Sequence, residues 1–341
     1  MPATDAFGRP LGTLRISVTD RCNLRCHYCM PQEEYVWLDR QDLLTFEEIG
    51  ALADVFAEAG VQRVRLTGGE PLLRRDLPSL VASLARKPWL TDLALTTNGL
   101  LLDDAAGPLR EAGLHRLTVS LDTLQPDRFQ RLTRVDALPR VLAGLEAAQR
   151  AGFTDVKIDS VITRGDNDDE LLPLLAFAHQ VRAEIRFIEY MDVGGAIDWL
   201  PEKVVSRSEM LAAITADRGP ITPLSAPDSS APAERFRLES GQTFGIIAST
   251  SQPFCRTCDR LRLTADGVML LCLYAQHGTD LRRPLRAGAS AETMHRLVRA
   301  VWESRADRGA EERQSVRDRG VYIPVRALKK DAHLEMHTRG G

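Results

Sequence analysis

Between residues 11 and 190 the sequence alternates short apolar runs with amphipathic stretches, and this alternation limits the fold more than any other feature of the chain. Residues 13–18 (Thr-Leu-Arg-Ile-Ser-Val) alternate polar and apolar side chains with the period of two expected of a strand. Residues 61–67, 92–97, 115–121, 155–163 and 184–190 read as further strands. Between them, residues 46–59, 76–87, 103–112, 138–151 and 168–181 read as helices, and Gly60, Gly113 and Gly152 mark three of the stops. Strands separated by helices imply a parallel sheet with helices packed on it. Six such units with right-handed crossovers predict an α/β fold, a partial (βα)6 TIM-like barrel.

The rest of the chain reads as a C-terminal extension. Residues 220–232 contain four prolines and suggest a linker or long loop. A strand is expected at 243–249, and a hairpin at 261–273 turning on Asp266-Gly267. A helix is expected at 291–304, followed by a charged tail. The division expected is 1–220 for the barrel and 221–341 for the extension. No internal repeat is apparent.

All six cysteines fall in two triplets: Cys22, Cys26 and Cys29, then Cys255, Cys258 and Cys272. Three thiolates can hold an iron–sulfur cluster that would otherwise take four, leaving one iron open to a small molecule. Two other readings compete. Three disulfides would need an oxidising compartment. The N-terminus has no basic start and no apolar run, and no stretch suits a membrane span, so a cytoplasmic location is expected. Zinc is the stronger rival, because His27 lies within the first triplet and His277 follows the second, so either site could be Cys3His.

Composition adds exclusions. A formal net charge of -3 and 6% aromatic residues argue against a nucleic-acid or membrane partner. The remaining motifs fall where the barrel strands end, which is where such sheets gather functional groups. They are Gly68-Gly69-Glu70-Pro71, Thr97-Asn98-Gly99, Ser120-Leu121-Asp122 and Glu189-Tyr190-Met191. Arg260 and Arg262, two apart on a strand, point to one side, and paired guanidiniums suit a phosphate chain. Arg15 on the first strand can join them.

The cysteine loop Cys22-x3-Cys26-x2-Cys29, with Tyr28 before its last cysteine, resembles that of the radical S-adenosylmethionine (SAM) enzymes. Residues 13–23, Arg65 to Arg74, Val156-Lys157-Ile158, Arg186 to Met191, Pro253 to Leu263 and the closing Gly340-Gly341 resemble the GTP 3′,8-cyclases of molybdenum cofactor biosynthesis. The resemblance implies two 4Fe–4S clusters, one on each triplet. Tyr28, Gly69, Glu70, Asn98, Ser120 and Met191 would bind SAM. Arg15, Arg65, Thr96, Lys157, Arg260 and Arg262 would bind GTP. Gly340 and Gly341 would thread toward the active site. The implied reaction cleaves SAM at the first cluster, takes hydrogen from C3′ of GTP and closes the ribose onto C8 of guanine, with guanine held at the second cluster.

A flavodoxin- or ferredoxin-like electron donor and a downstream pyranopterin synthase are the implied partners, and a homodimer is compatible. Three positions depart from the family pattern: Asp159 for asparagine, Asp192 for proline and Arg339 for an apolar residue. Asp159 would add negative charge beside the triphosphate if it faces the cavity. The competing functions are another twin-cluster radical SAM enzyme, an iron–sulfur electron carrier and a zinc-stabilised binding module.

Overall fold

The computed structural model describes residues 2–225 and 230–340. Six parallel strands run side by side in chain order: β1 (Thr13–Ser17), β2 (Arg63–Thr67), β3 (Asp92–Thr97), β4 (Arg116–Ser120), β5 (Val156–Ile162) and β6 (Glu184–Glu189). Five helices alternate with them: Phe46–Glu58, Leu77–Ala85, Leu102–Glu111, Leu138–Arg150 and Leu171–Gln180. The expected units are all present, with ends trimmed by a residue or two. One expected helix, 168–181, opens as a 3-10 turn at Asp168–Glu170 before becoming regular.

Each strand sorts its side chains by face. Leu14 and Ile16 of β1 are fully buried in the core, whereas Arg15 between them lines a cavity on the other face. The helices cover the apolar face. Helix Phe46–Glu58 is started by a capping box, in which the Thr45 hydroxyl accepts from the Glu48 N–H and the Glu48 carboxylate accepts from the Thr45 N–H. Its buried stripe includes Ile49, Leu52, Ala53 and Phe56.

The second half of the chain returns to both edges of this sheet. β7 (Ile221–Leu224), β8 (Glu234–Leu238) and β9 (Thr243–Ile247) form an antiparallel run, and β9 pairs in parallel with β6. β10 (Arg260–Leu263), β11 (Val268–Leu270) and β12 (Thr279–Asp280) form another, and β10 pairs in parallel with β1. The result is one 12-stranded sheet in the order β12-β11-β10-β1-β2-β3-β4-β5-β6-β9-β8-β7. The edges of the six-stranded core, which would expose unpaired backbone groups, are thereby covered.

Several elements differ from expectation, among them β8 and the short helices Arg282–Arg286 and Gly309–Gln314. Residues 221–224, assigned to a linker, form β7, and part of that stretch, 226–229, lies outside the described residues. Helices Pro126–Thr133 and Arg207–Arg218 were not anticipated. The second carries a legible signal, because Ser206 and Glu209 form a capping box. The hairpin turning on Asp266-Gly267 is present, and Gly267 adopts a φ of 87°, which favours glycine there. Among the described residues no helix is long and apolar enough to cross a membrane.

Candidate functional site

A cavity of about 800 Å³ lies against the polar face of the sheet, and all six cysteines line it. Cys22, Cys26 and Cys29 stand on the loop after β1, whereas Cys255 and Cys258 precede β10 and Cys272 follows β11. All six are free thiols, so the disulfide alternative does not hold. Burial pushes Cys22 up to about 11 and Cys272 up to about 12. Cys26 is also raised well above the usual thiol range, by burial and then by its neighbours Cys29 and Cys22. Three buried thiolates cannot coexist without a cation, and metal coordination is what deprotonates such a set.

The donor set fits iron–sulfur clusters better than zinc. His27 does not line the cavity, and its Nε2 lies 3.5 Å from Asp166. His277 is exposed and outside the lining.

The cavity that holds the first triplet is also lined by every residue assigned to SAM from the sequence: Tyr28, Gly69, Glu70, Asn98, Ser120 and Met191. Gly69 has a steric reason to be glycine, since a Cβ there would sit 2.4 Å from the Arg21 carbonyl oxygen, on the strand exit that leads into the cysteine loop. The Glu70 carboxylate is buried and accepts from the Leu72 N–H at 3.0 Å, the Thr97 hydroxyl at 2.7 Å and the Asn98 N–H at 2.7 Å. Burial pushes it up to about 7 despite these donors. A carboxylate has about four acceptor positions, so roughly one remains for a ligand amine. Asn98 donates to Asn23 at 2.8 Å and faces the Cys22 sulfur at 3.9 Å. The Tyr28 hydroxyl donates to Asp122 at 2.7 Å, and Asp122 also accepts from the Val161 N–H.

Between the two triplets runs a band of arginines set by strand register. Arg262 of β10 is paired with Arg15 of β1, and Arg15 with Arg65 of β2. Arg65 donates to the hydroxyls of Thr96 and Thr118, each at 3.0 Å. Arg260 lies over the Phe254 ring at 4.4 Å, and its Nε and Nη2 are buried without a hydrogen-bond partner. Burial, then Arg260, depress Arg262 to about 10. Lys157 also lines the cavity but donates to Asp155 at 2.8 and 3.0 Å. Asp159 lines the cavity too, with a buried and unpartnered Oδ1, so the departure from asparagine does face this space.

The tail reaches the same arginines. Arg15 donates to the Gly340 carbonyl at 3.0 Å, and Arg262 donates to the carbonyls of Arg339 and Gly340 at 2.9 and 2.7 Å. Gly341 lies outside the described residues.

The other two departures prove to be anchors. Asp192 is buried and accepts from the Tyr274 hydroxyl at 2.8 Å and from the guanidiniums of Arg313 and Arg319. Arg339 is buried and donates to the carbonyls of His333 and Leu273, which ties the tail to the loop after Cys272.

Sequence reasoning missed the far end of the cavity. There Arg63 pairs with Asp259, Arg116 with Asp92, and Arg235 with Glu184. Each sits at or next to the start of a strand, and single charges at strand starts carry no signal that distinguishes them from solvated ends.

A family model described as the radical SAM superfamily matches residues 16–178, and one described as Molybdenum Cofactor Synthesis C matches 183–311. GTP 3′,8-cyclase 3 of Mycobacterium bovis is 54% identical over 100% of this chain and 91% of its own length. GTP 3′,8-cyclase 1 of Mycobacterium tuberculosis is 55% identical over 99% of this chain and 95% of its own. The GTP 3′,8-cyclase of Aquifex aeolicus is 42% identical over 99% of each. Among solved structures, Streptococcus suis SuiB bound to S-adenosylmethionine shares the fold with a TM-score of 0.58 at 16% identity, covering 90% of this chain and 68% of that one. Full-length identity at this level, joined to a cavity that collects both cysteine triplets, places the chain in the GTP 3′,8-cyclase family of the radical SAM superfamily.

Proposed function

We propose that the chain converts GTP to (8S)-3′,8-cyclo-7,8-dihydroguanosine 5′-triphosphate, using SAM and a reductant, early in molybdenum cofactor biosynthesis. The observation that carries this reading is the shared cavity, in which the two triplets face one space with the arginines between them. Residues 1–220 would supply the SAM end and part of the GTP site, and residues 221–341 the second cluster, Arg260, Arg262 and the tail. A cluster on Cys22, Cys26 and Cys29, together with SAM, supplies a hydrogen-abstracting radical when bound.

The chain's own residues then have defined tasks. Glu70 and Asn98 orient the amino acid part of SAM, and Tyr28, held by Asp122, closes over it, with Gly69, Ser120 and Met191 completing the pocket. Arg15, Arg260 and Arg262 hold the triphosphate, with Arg65 fixed beside them by Thr96 and Thr118. Cys255, Cys258 and Cys272 hold the second cluster, which receives guanine. Lys157 exchanges Asp155 for the nucleotide, and the Gly340–Gly341 tail borders the nucleotide. A small electron-transfer protein of the flavodoxin or ferredoxin type would serve as donor, and a pyranopterin synthase would consume the product.

The test is anaerobic incubation with dithionite, SAM and GTP. Ring closure removes two hydrogens and the dihydro form restores two, so the product has the mass of GTP but a different retention time. About eight irons per chain are expected, since each cluster carries about four. Stoichiometric zinc with little iron, or SAM cleavage that leaves GTP unchanged, would overturn the reading.

A further inference from the structure

The loop that carries Cys255 and Cys258 is gripped by two guanidiniums that the proposed reaction does not use. Arg9 and Arg305 are 3% and 2% exposed. Arg9 comes from the N-terminal turn, where Thr4 bridges Pro10. It donates to the Cys255 carbonyl at 2.8 Å, to the Asp307 carbonyl at 2.9 Å and to the Asp5 carboxylate. Arg305 follows helix Ala291–Glu303. Its Nη1 donates to the Cys258 carbonyl at 2.9 Å, and its Nη2 lies 3.6 Å from the Cys258 sulfur. Nε and Nη2 also reach the Asp307 carboxylate at 3.2 and 3.4 Å.

The guanidinium has little freedom. Its carbon lies 4.7 Å from the centre of the Trp302 ring, and the Trp302 N–H donates to the Arg9 carbonyl. Burying a cation is costly unless its donors are satisfied. Here three of its nitrogens are directed at Cys258 and the Asp307 carboxylate, and Nη1 also lies 3.9 Å from the Asp5 carboxylate.

At the first triplet Arg25 donates to the Cys22 carbonyl at 3.0 Å, but among the described residues no charged group donates to a sulfur there. The donors to its sulfurs are the Leu24 N–H at 3.5 Å and the Asn98 amide at 3.9 Å, both on Cys22 and both neutral. Hydrogen bonds to cluster sulfurs are among the levers that set reduction potential, and a charged donor is stronger than a neutral one.

We propose that Arg305 is a positioning residue for the second cluster, fixing the Cys258 sulfur and drawing negative charge from it through a charged N–H···S bond. This rests on the second triplet holding a cluster, as argued above. Arg305 thereby makes the second cluster easier to reduce than its three thiolates alone would, while leaving the first unaffected.

The test is a spectroscopically monitored redox titration of the fully loaded protein, with iron release to a chelator as a second readout. Arg305→Met should move the midpoint of the second cluster to a more negative potential and leave that of the first in place. Loss of iron from the second cluster should quicken by about 10-fold, the scale of outer-shell effects on metal affinity. Arg305→Gln keeps a neutral donor and should fall between the two. It also carries the test by itself if the methionine variant does not load its second cluster. An unmoved second midpoint in Arg305→Gln, or equal shifts of both clusters, overturns the inference while the twin-cluster reading stands. Unmodified protein that loads only about four irons overturns both.

Discussion

Arg15 and Arg262 lie opposite each other on adjacent parallel strands, and both guanidiniums donate to one carbonyl oxygen, that of Gly340. Like charges at paired register positions repel. Burial and then repulsion from Arg262 and Arg65 push Arg15 well below the usual arginine range. A carbonyl dipole answers such charge more weakly than a triphosphate does. The tail therefore holds in place the arginines proposed to bind the triphosphate.

Removing one of these cations should weaken GTP selectively. Arg260→Ala and Arg262→Ala should each cost roughly 1.5–3 kcal/mol of GTP binding, the scale of charge-assisted hydrogen bonds. Guanosine offers no triphosphate, so its binding should fall much less. Titration calorimetry with both ligands checks this, and equal losses would mean that the arginines act on the fold or the cluster.

The tail can be tested at one atom. Gly340 has a φ of 64°, and a Cβ there would lie 2.0 Å from the Thr67 hydroxyl oxygen. Gly340→Ala should displace the tail from Arg15 and Arg262, as should deletion of Gly340 and Gly341. Iron content and SAM cleavage should persist, while conversion of GTP drops sharply. Conversion at the unmodified rate by the deletion variant would make the tail an ordinary frayed end.

Asp192 should behave as a structural latch. Its carboxylate joins β6 to the segment that passes the second triplet, through Tyr274, Arg313 and Arg319. Asp192→Ala leaves two partly buried guanidiniums without their anion and should cost about 3–5 kcal/mol of stability, the scale for breaking a buried pair. Denaturant unfolding measures the cost. Hydrogen exchange should show faster opening of residues 309–322 than of β1 to β6.

His337 gives the tail an acid sensitivity. Its ring packs edge-on against Tyr35 at 5.1 Å, and burial depresses it to about 3. A base whose folded value lies below its unfolded value contributes fully above about 6.5, and that contribution is lost as pH falls toward 3. Each pH unit below about 6.5 should cost up to about 1.4 kcal/mol. His337→Phe should flatten this part of the stability profile, and an unchanged profile would contradict the burial argument.

The sequence made the barrel core legible because six strands and five helices repeat one period change, and the cysteine spacing pointed to the site. All the residues assigned to SAM and GTP line one cavity, because strand ends and strand alternation aim them there. What stayed hidden depends on distant pairing. β8 lies between β9 and β7 and carries charged residues at three of its five positions, with only Phe236 and Leu238 buried. Arg305 meets Cys258 across 47 positions, and Arg9 meets Cys255 across 246. No local pattern encodes such contacts. Asp192 and Arg339 were visible as departures from a family pattern, but their roles as anchors required the positions of their partners.

The central claim is that SAM and GTP react within one cavity, with hydrogen leaving C3′ of the ribose. Incubation with GTP deuterated at C3′ tests this most directly, by mass analysis of the 5′-deoxyadenosine formed. The account predicts one deuterium in 5′-deoxyadenosine, together with a cyclised nucleotide that has lost it. Alanine at Cys255, Cys258 or Cys272 should abolish the cyclised nucleotide. Unlabelled 5′-deoxyadenosine formed alongside cyclised product would contradict the account, because the radical would then have drawn its hydrogen from elsewhere.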